Sequence, residues 1–113
     1  MPNTQNQSIR DIQAALLKRF AQLQKRLDDA TDTDEAMAIV REMQEVSHRV
    51  TLAGSLLFAA DTQALSDKVA LVNKASNQAA KAIREAAAFA DALASITDFL
   101  ATVDDAIDLA KTL

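Results

Sequence analysis

Val50-Thr-Leu-Ala-Gly54-Ser-Leu-Leu-Phe58-Ala-Ala60 is the most apolar run of the chain, with no charge between Arg49 and Asp61. Consecutive residues of an α-helix lie about 100° apart, so Leu56, Leu57 and Phe58 sweep an arc of about 200°, wider than the single apolar stripe of a surface helix. Read as helix, this run needs cover on more than one side, from neighbouring helices, a second copy of the chain or a lipid-like surface. Its eleven residues fall short of the roughly 20 that span a bilayer.

Upstream, Ala36, Ile39, Met43, Val46, Val50, Ala53 and Leu57 recur at spacings of three and four, a heptad-like seam that predicts helix 2 from about Thr33 to Ala60. Gly54 inside it costs near 1 kcal/mol against alanine, and close approach of another backbone at Ala53-Gly54-Ser55 would account for it. Asp32, with Glu35 three residues on, predicts the N-cap. Further upstream Ile9, Ile12, Leu16, Phe20, Leu23 and Leu27 define helix 1, with Ser8 as N-cap and residues 1–7 as a disordered tail. Downstream of Asp61, the next capping candidate, Leu65, Val69, Val72, Ser76, Ala79, Ile83, Ala86, Ala90 and Leu93 form a third seam whose small middle lets helices pack closely but buries little apolar area. Near Leu93 the register shifts to Phe89, Leu93, Ile96, Leu100, Val103, Ile107 and Ala110. A break there, where Ser95-Ile-Thr-Asp98 resembles a cap, gives a fourth helix from about Ile96 to Lys111.

The expected fold is all-α: one domain over 8–113, an antiparallel up-down helical bundle of three long helices plus a shorter C-terminal fourth. The alternative is two helices plus one very long kinked helix from about Thr62, on the order of 75 Å, which a compact monomer would not cover. No segment repeats at a longer fixed period.

The 113-residue composition suits helices: half the residues are hydrophobic, the few aromatics are all Phe, and Gly and Pro occur once each. No stretch alternates as a half-buried strand would. With no cysteine there is no disulfide framework, thiolate metal site or thiol nucleophile, which fits a reducing, cytoplasmic setting. The N-terminus has neither a basic region nor an apolar one, so no secretory signal is expected. The net charge of −4 argues against nucleic acid, although Lys18, Arg19, Lys25 and Arg26 recur seven apart on helix 1. Stacking aromatics are missing beside them. Through Leu27 five basic residues face only Asp11, whereas from Leu93 onward four aspartates face only Lys111. Helix 1 and the C-terminal segment are therefore expected as neighbours.

The sharpest catalytic-looking pattern is Glu45-Val-Ser-His48, whose i, i+3 spacing puts both groups on one face, as in di-iron bundles. Such a site needs the motif twice and glutamates from two further helices, and His48 is the only histidine. A solvated Glu45 to Arg49 pair is the simpler reading. The acidic run from Asp28 to Glu35 lacks the central glycine and spacing of a calcium loop and suits helix N-termini instead. Ser47 and His48, being adjacent, point apart and form no nucleophile pair. Arg19, Arg26, Arg49 and Arg84 occupy flank positions rather than converging on a site.

No cofactor is expected and no enzyme activity. The expectation is a helical protein-protein interaction module that self-associates as a homo-oligomer through helix 2, by way of Val50, Ala53, Gly54, Leu56, Leu57 and Phe58, and presents helical faces to a protein partner. The rival is a surface-active bundle making peripheral contact with lipid or another apolar phase.

Overall fold

A computed structural model describes residues 5–113, and those residues form four α-helices and no strand. They are α1 (Gln7–Asp28), α2 (Thr33–Gly54), α3 (Gln63–Glu85) and α4 (Leu93–Lys111), the last led in by a 3₁₀ turn, Phe89–Ala92. Each of the first three is started by a side chain that accepts a backbone N–H of the first turn: Asn6 from Ile9, Asp32 from Glu35, Thr62 from Leu65. Such caps satisfy donors that have no partner inside the helix. Two expected caps are thus displaced, Ser8 by Asn6 and Asp61 by Thr62. Of the expected tail, residues 1–4 lie outside the described residues, whereas Asn6 is buried and Gln7 opens α1.

The expected bundle is present, up and down in sequence order, 51 × 22 × 18 Å along its principal axes. Its ring order differs from chain order. α1 packs against α2 and α3, and α4 against α3 and α2, so α2 and α3, consecutive in the chain, stand on a diagonal. Touching pairs taken from different hairpins run parallel: Arg19 reaches Ser76 and Arg26 reaches Ile83, while Arg49 reaches Asp104. Basic α1 and acidic α4 also face each other across a diagonal, so their expected adjacency does not occur.

This ring order explains the apolar run from Val50 to Ala60. Helix α2 ends at Gly54 rather than Ala60, and the chain then turns and crosses under the bundle to reach α3. Leu56 and Leu57 pack from below against the core as parts of a turn, not as an arc of helix. The crossing is tied to the start of α1: the Asn6 N–H donates to Leu57 O (2.6 Å), Asn6 Nδ2 to Ala59 O (3.0 Å) and Ser8 Oγ to Asp61 Oδ1 (2.7 Å). Gly54 meets a side chain, not a backbone, since a Cβ there would lie 3.3 Å from Gln13 Nε2.

The core follows the seams. Ile9, Ile12, Leu16 and Leu23 of α1, Ile39, Met43, Val46 and Ala53 of α2, and Leu65, Val69, Val72, Ala79 and Ile83 of α3 are buried. From α4 come Ile96, Phe99, Leu100, Val103, Ala106, Ile107 and Ala110. The third seam holds to Ile83 and lapses at Ala86, because the chain breaks there, earlier than the expected Leu93. α4 consequently starts at Leu93 rather than Ile96 and, at 19 residues, is the shortest of the four.

Candidate functional site

Of the six residues expected to carry self-association, Ala53 is fully buried, Val50, Leu56 and Leu57 pack against the core, and Gly54 sits against Gln13. Only Phe58, 65% exposed, faces solvent. The contact residues chosen from a helical reading of the run are therefore largely taken up by the bundle's own closure.

Glu45 and His48 are both exposed on α2, and Glu45 Oε2 is occupied by Arg49 Nη1 at 2.9 Å. Among the described residues no group of three or more His, Cys, Asp or Glu side chains is placed to hold a metal ion together. Three carboxylates of the acidic run from Asp28 to Glu35 are engaged by the chain's own donors. Asp28 accepts from Gln24, Asp32 caps α2, and Glu35 Oε1 accepts both Arg26 Nη2 (3.3 Å) and the Phe89 N–H (2.9 Å).

Three of the four arginines weighed for catalysis join helices instead. Arg19 lies over the small residues of α3 and donates to Ser76 O at 3.2 Å, while its Nε and the nearby Gln22 Oε1 are buried without partners. Burial holds the Arg19 guanidinium below its ordinary pKa. Arg26 donates to the carbonyls of Ile83 (3.2 Å), Ala86 (2.9 Å) and Ala87 (3.2 Å), closing the free end of α3. Arg49 grips Asp104 through Nε and Nη2 at 2.8 and 2.9 Å. Burial works to lower its pKa, but the hydrogen bonds to Asp104 and Glu45, with their charges, outweigh burial and hold it above the ordinary value. Arg84 is exposed. The basic row of helix 1 is thus divided, Arg19 and Arg26 turned to α3 and Lys18 and Lys25 left in solvent.

What the seams leave out is the outer face of the α1/α2 hairpin. Leu17 (54% exposed), Met37 (64%) and Val40 (38%) stand in solvent there. Phe20, Leu27, Val40, Met43, Gln44 and Ser47 line a shallow hollow between the two helices. A second hollow, with Met37 and Ala36, adjoins it through Val40 and Gln44. Leu17 lies one turn before Phe20 on the same helix. The signal was present in the sequence, since Leu17, Met37 and Val40 are large apolar residues out of register with the seams. A burial-seeking reading passes over such residues because scattered exposed ones are ordinary.

Comparison with known proteins finds no matching family model, no similar curated protein and no similar solved structure. Among the described residues no helix is long and apolar enough to cross a membrane.

Proposed function

We propose that this chain is a non-enzymatic helical interaction module that receives a protein partner on the outer face of α1 and α2. The observation that carries the reading is the pair Met37 and Val40, exposed beside a floor of Phe20, Leu27 and Met43, with exposed Leu17 one turn before Phe20 on α1. Contiguous exposed apolar patches on a folded protein mark interaction surfaces more than isolated residues do. The half-buried arginines support a non-catalytic reading, because each is engaged in joining one helix to another. The cysteine-free sequence suits a cytoplasmic setting.

The reading is tested with a photo-crosslinking amino acid at Met37 and, separately, at Ala101 on the exposed face of α4, the protein being produced in its own cells. Proteins crosslinked from Met37 and not from Ala101 are the expected result. Identical crosslinking from both positions, or none from Met37, removes the reading.

A further inference from the structure

We propose that the Ala86–Ala92 connection is a latched hinge: released from Arg26 and Glu35, it becomes helix, α3 and α4 fuse, and the chain exchanges α4 with a second copy of itself. Five of its seven residues are alanine, and no glycine or proline occurs from Gln63 to Lys111. The three-four spacing of the third seam runs on through it, by way of Ile83, Ala86, Ala90, Leu93 and Ile96, as it would in one continuous helix. Ala86 and Ala88 are extended, with ψ of 123° and 135°, while Phe89–Ala92 is already a 3₁₀ turn. What holds the segment out of helix comes from the other hairpin. Arg26 occupies the carbonyls of Ala86 (2.9 Å) and Ala87 (3.2 Å), which the Ala90 and Asp91 N–H groups would reach in a helix. Glu35 holds the Phe89 N–H (2.9 Å), whose helical acceptor would be the Glu85 carbonyl. Arg26 and Glu35 are themselves paired at 3.3 Å. The latch therefore takes the very groups that a continuous helix would satisfy internally.

A fused helix over 63–111 would be about 73 Å long, against a longest bundle axis of 51 Å, so its α4 half cannot lie on its own α3. Ile96, Phe99, Leu100, Val103 and Ile107, buried in the closed form, then need cover, and α2 and α3 are left with the seat that α4 has vacated. The surface that fits that seat is α4 of a second copy. Exchange rebuilds between two chains the contacts that the bundle already makes within one, which is why swapping an element is a low-cost route to a dimer. The two fused helices would run antiparallel and cross near Ala86 and Ala90, whose small side chains permit close approach. The acidic run from Asp28 to Glu35 lies at this end of the bundle, because Glu35 reaches Phe89, and exchange brings two such runs together. Their repulsion adds to the latch and makes the closed monomer the resting form. The outer face of α1 and α2 takes no part, so exchange and the partner reading above hold or fail separately.

The test compares wild type with Arg26→Ala/Glu35→Ala at millimolar concentration, once melting curves establish that the variant folds. Light scattering gives the mass. Spin labels at Lys74 and Ala101, both exposed, give the distance within one chain when labelled protein is diluted into unlabelled. A fused helix puts the two positions about 40 Å apart along one axis, whereas the closed α3/α4 hairpin folds them back to less than half of that. The expected results are a closed monomer for wild type and, for the variant, a dimer at least tenfold tighter whose chains each show the long distance. Adding Ala87→Gly/Ala88→Gly, which disfavours helix at the hinge, should weaken that dimer at least tenfold. A variant that stays monomeric, a dimer whose chains keep the short distance, or an equal dimer in wild type overturns the proposal. Should Arg26→Ala/Glu35→Ala not fold, Glu35→Ala, which leaves Arg26 on its carbonyls, is read in the same way.

Discussion

Glu42 is half-buried on α2 and has no ion pair among the described residues. Burial, and then the charge of Glu45, raise its pKa against the opposing pull of Arg41 and Arg49. A carboxyl that holds its proton more tightly when folded makes stability fall as pH rises from the unfolded value, about 4.3 for Glu, through the folded one. The penalty is complete above that window and absent below it. Glu42→Gln should therefore melt at a higher temperature than wild type at pH 7, with the difference gone at pH 3; an equal difference at both values would contradict this origin. Arg49 is the opposite case, a guanidinium held by two carboxylates. Arg49→Met should cost about 1–2 kcal/mol in urea unfolding, discounted because the freed Asp104 is 45% exposed and rehydrates. A change below about 0.3 kcal/mol would show the bridge to be energetically idle. The Glu45 to Arg49 pair was readable from its i, i+4 spacing, whereas Asp104, 55 residues away, leaves no local trace.

Four helices and their inward faces follow from three-four spacing, and that much could be read from residues alone. The ends could not, for reasons best seen between α3 and α4. Ala86, Ala87 and Ala88 carry no stop signal, alanine being the strongest helix former, and neither the 3₁₀ turn nor α4 has a side-chain cap. The break is imposed from outside: Arg26 of α1 takes the Ile83 carbonyl in the last turn of α3 and those of Ala86 and Ala87 just beyond it, and Glu35 of α2 takes the Phe89 N–H. Ser95 to Asp98, which suggested a later break, lies inside α4. Arg26→Ala should thus destabilise by about 2 kcal/mol, since several charge-assisted hydrogen bonds go together. It should also speed amide exchange at Ala86–Phe89 before other helical segments, while Arg84→Ala leaves both unchanged. Uniform acceleration throughout the bundle would instead mean that Arg26 acts on global stability and not on the break.

At the scale of the whole molecule, the crossing of Leu56 to Asp61 beneath the bundle determines which faces are left outside. It carries the chain from α2 to a diagonal position, brings α3 beside α1 in parallel, and leaves the far side of the α1/α2 hairpin uncovered. A reading of seams assumes that consecutive helices touch, so it assigned the apolar run to a helical contact face and missed the groove. Spin labels at Lys25 and Arg84 test the ring order, since both residues border one hollow between α1 and α3. Their separation should match touching helices, axes about 8–10 Å apart plus the label arms, and a longer, diagonal distance would reject the arrangement. The most direct test of the proposed role is calorimetric titration of a partner crosslinked from Met37 against wild type and Met37→Glu/Val40→Glu. Binding weakened at least tenfold, with an unchanged melting temperature for the variant, is the predicted result, as expected for charges placed at the centre of an apolar contact. Equal affinity for the two proteins would contradict the assignment of this face.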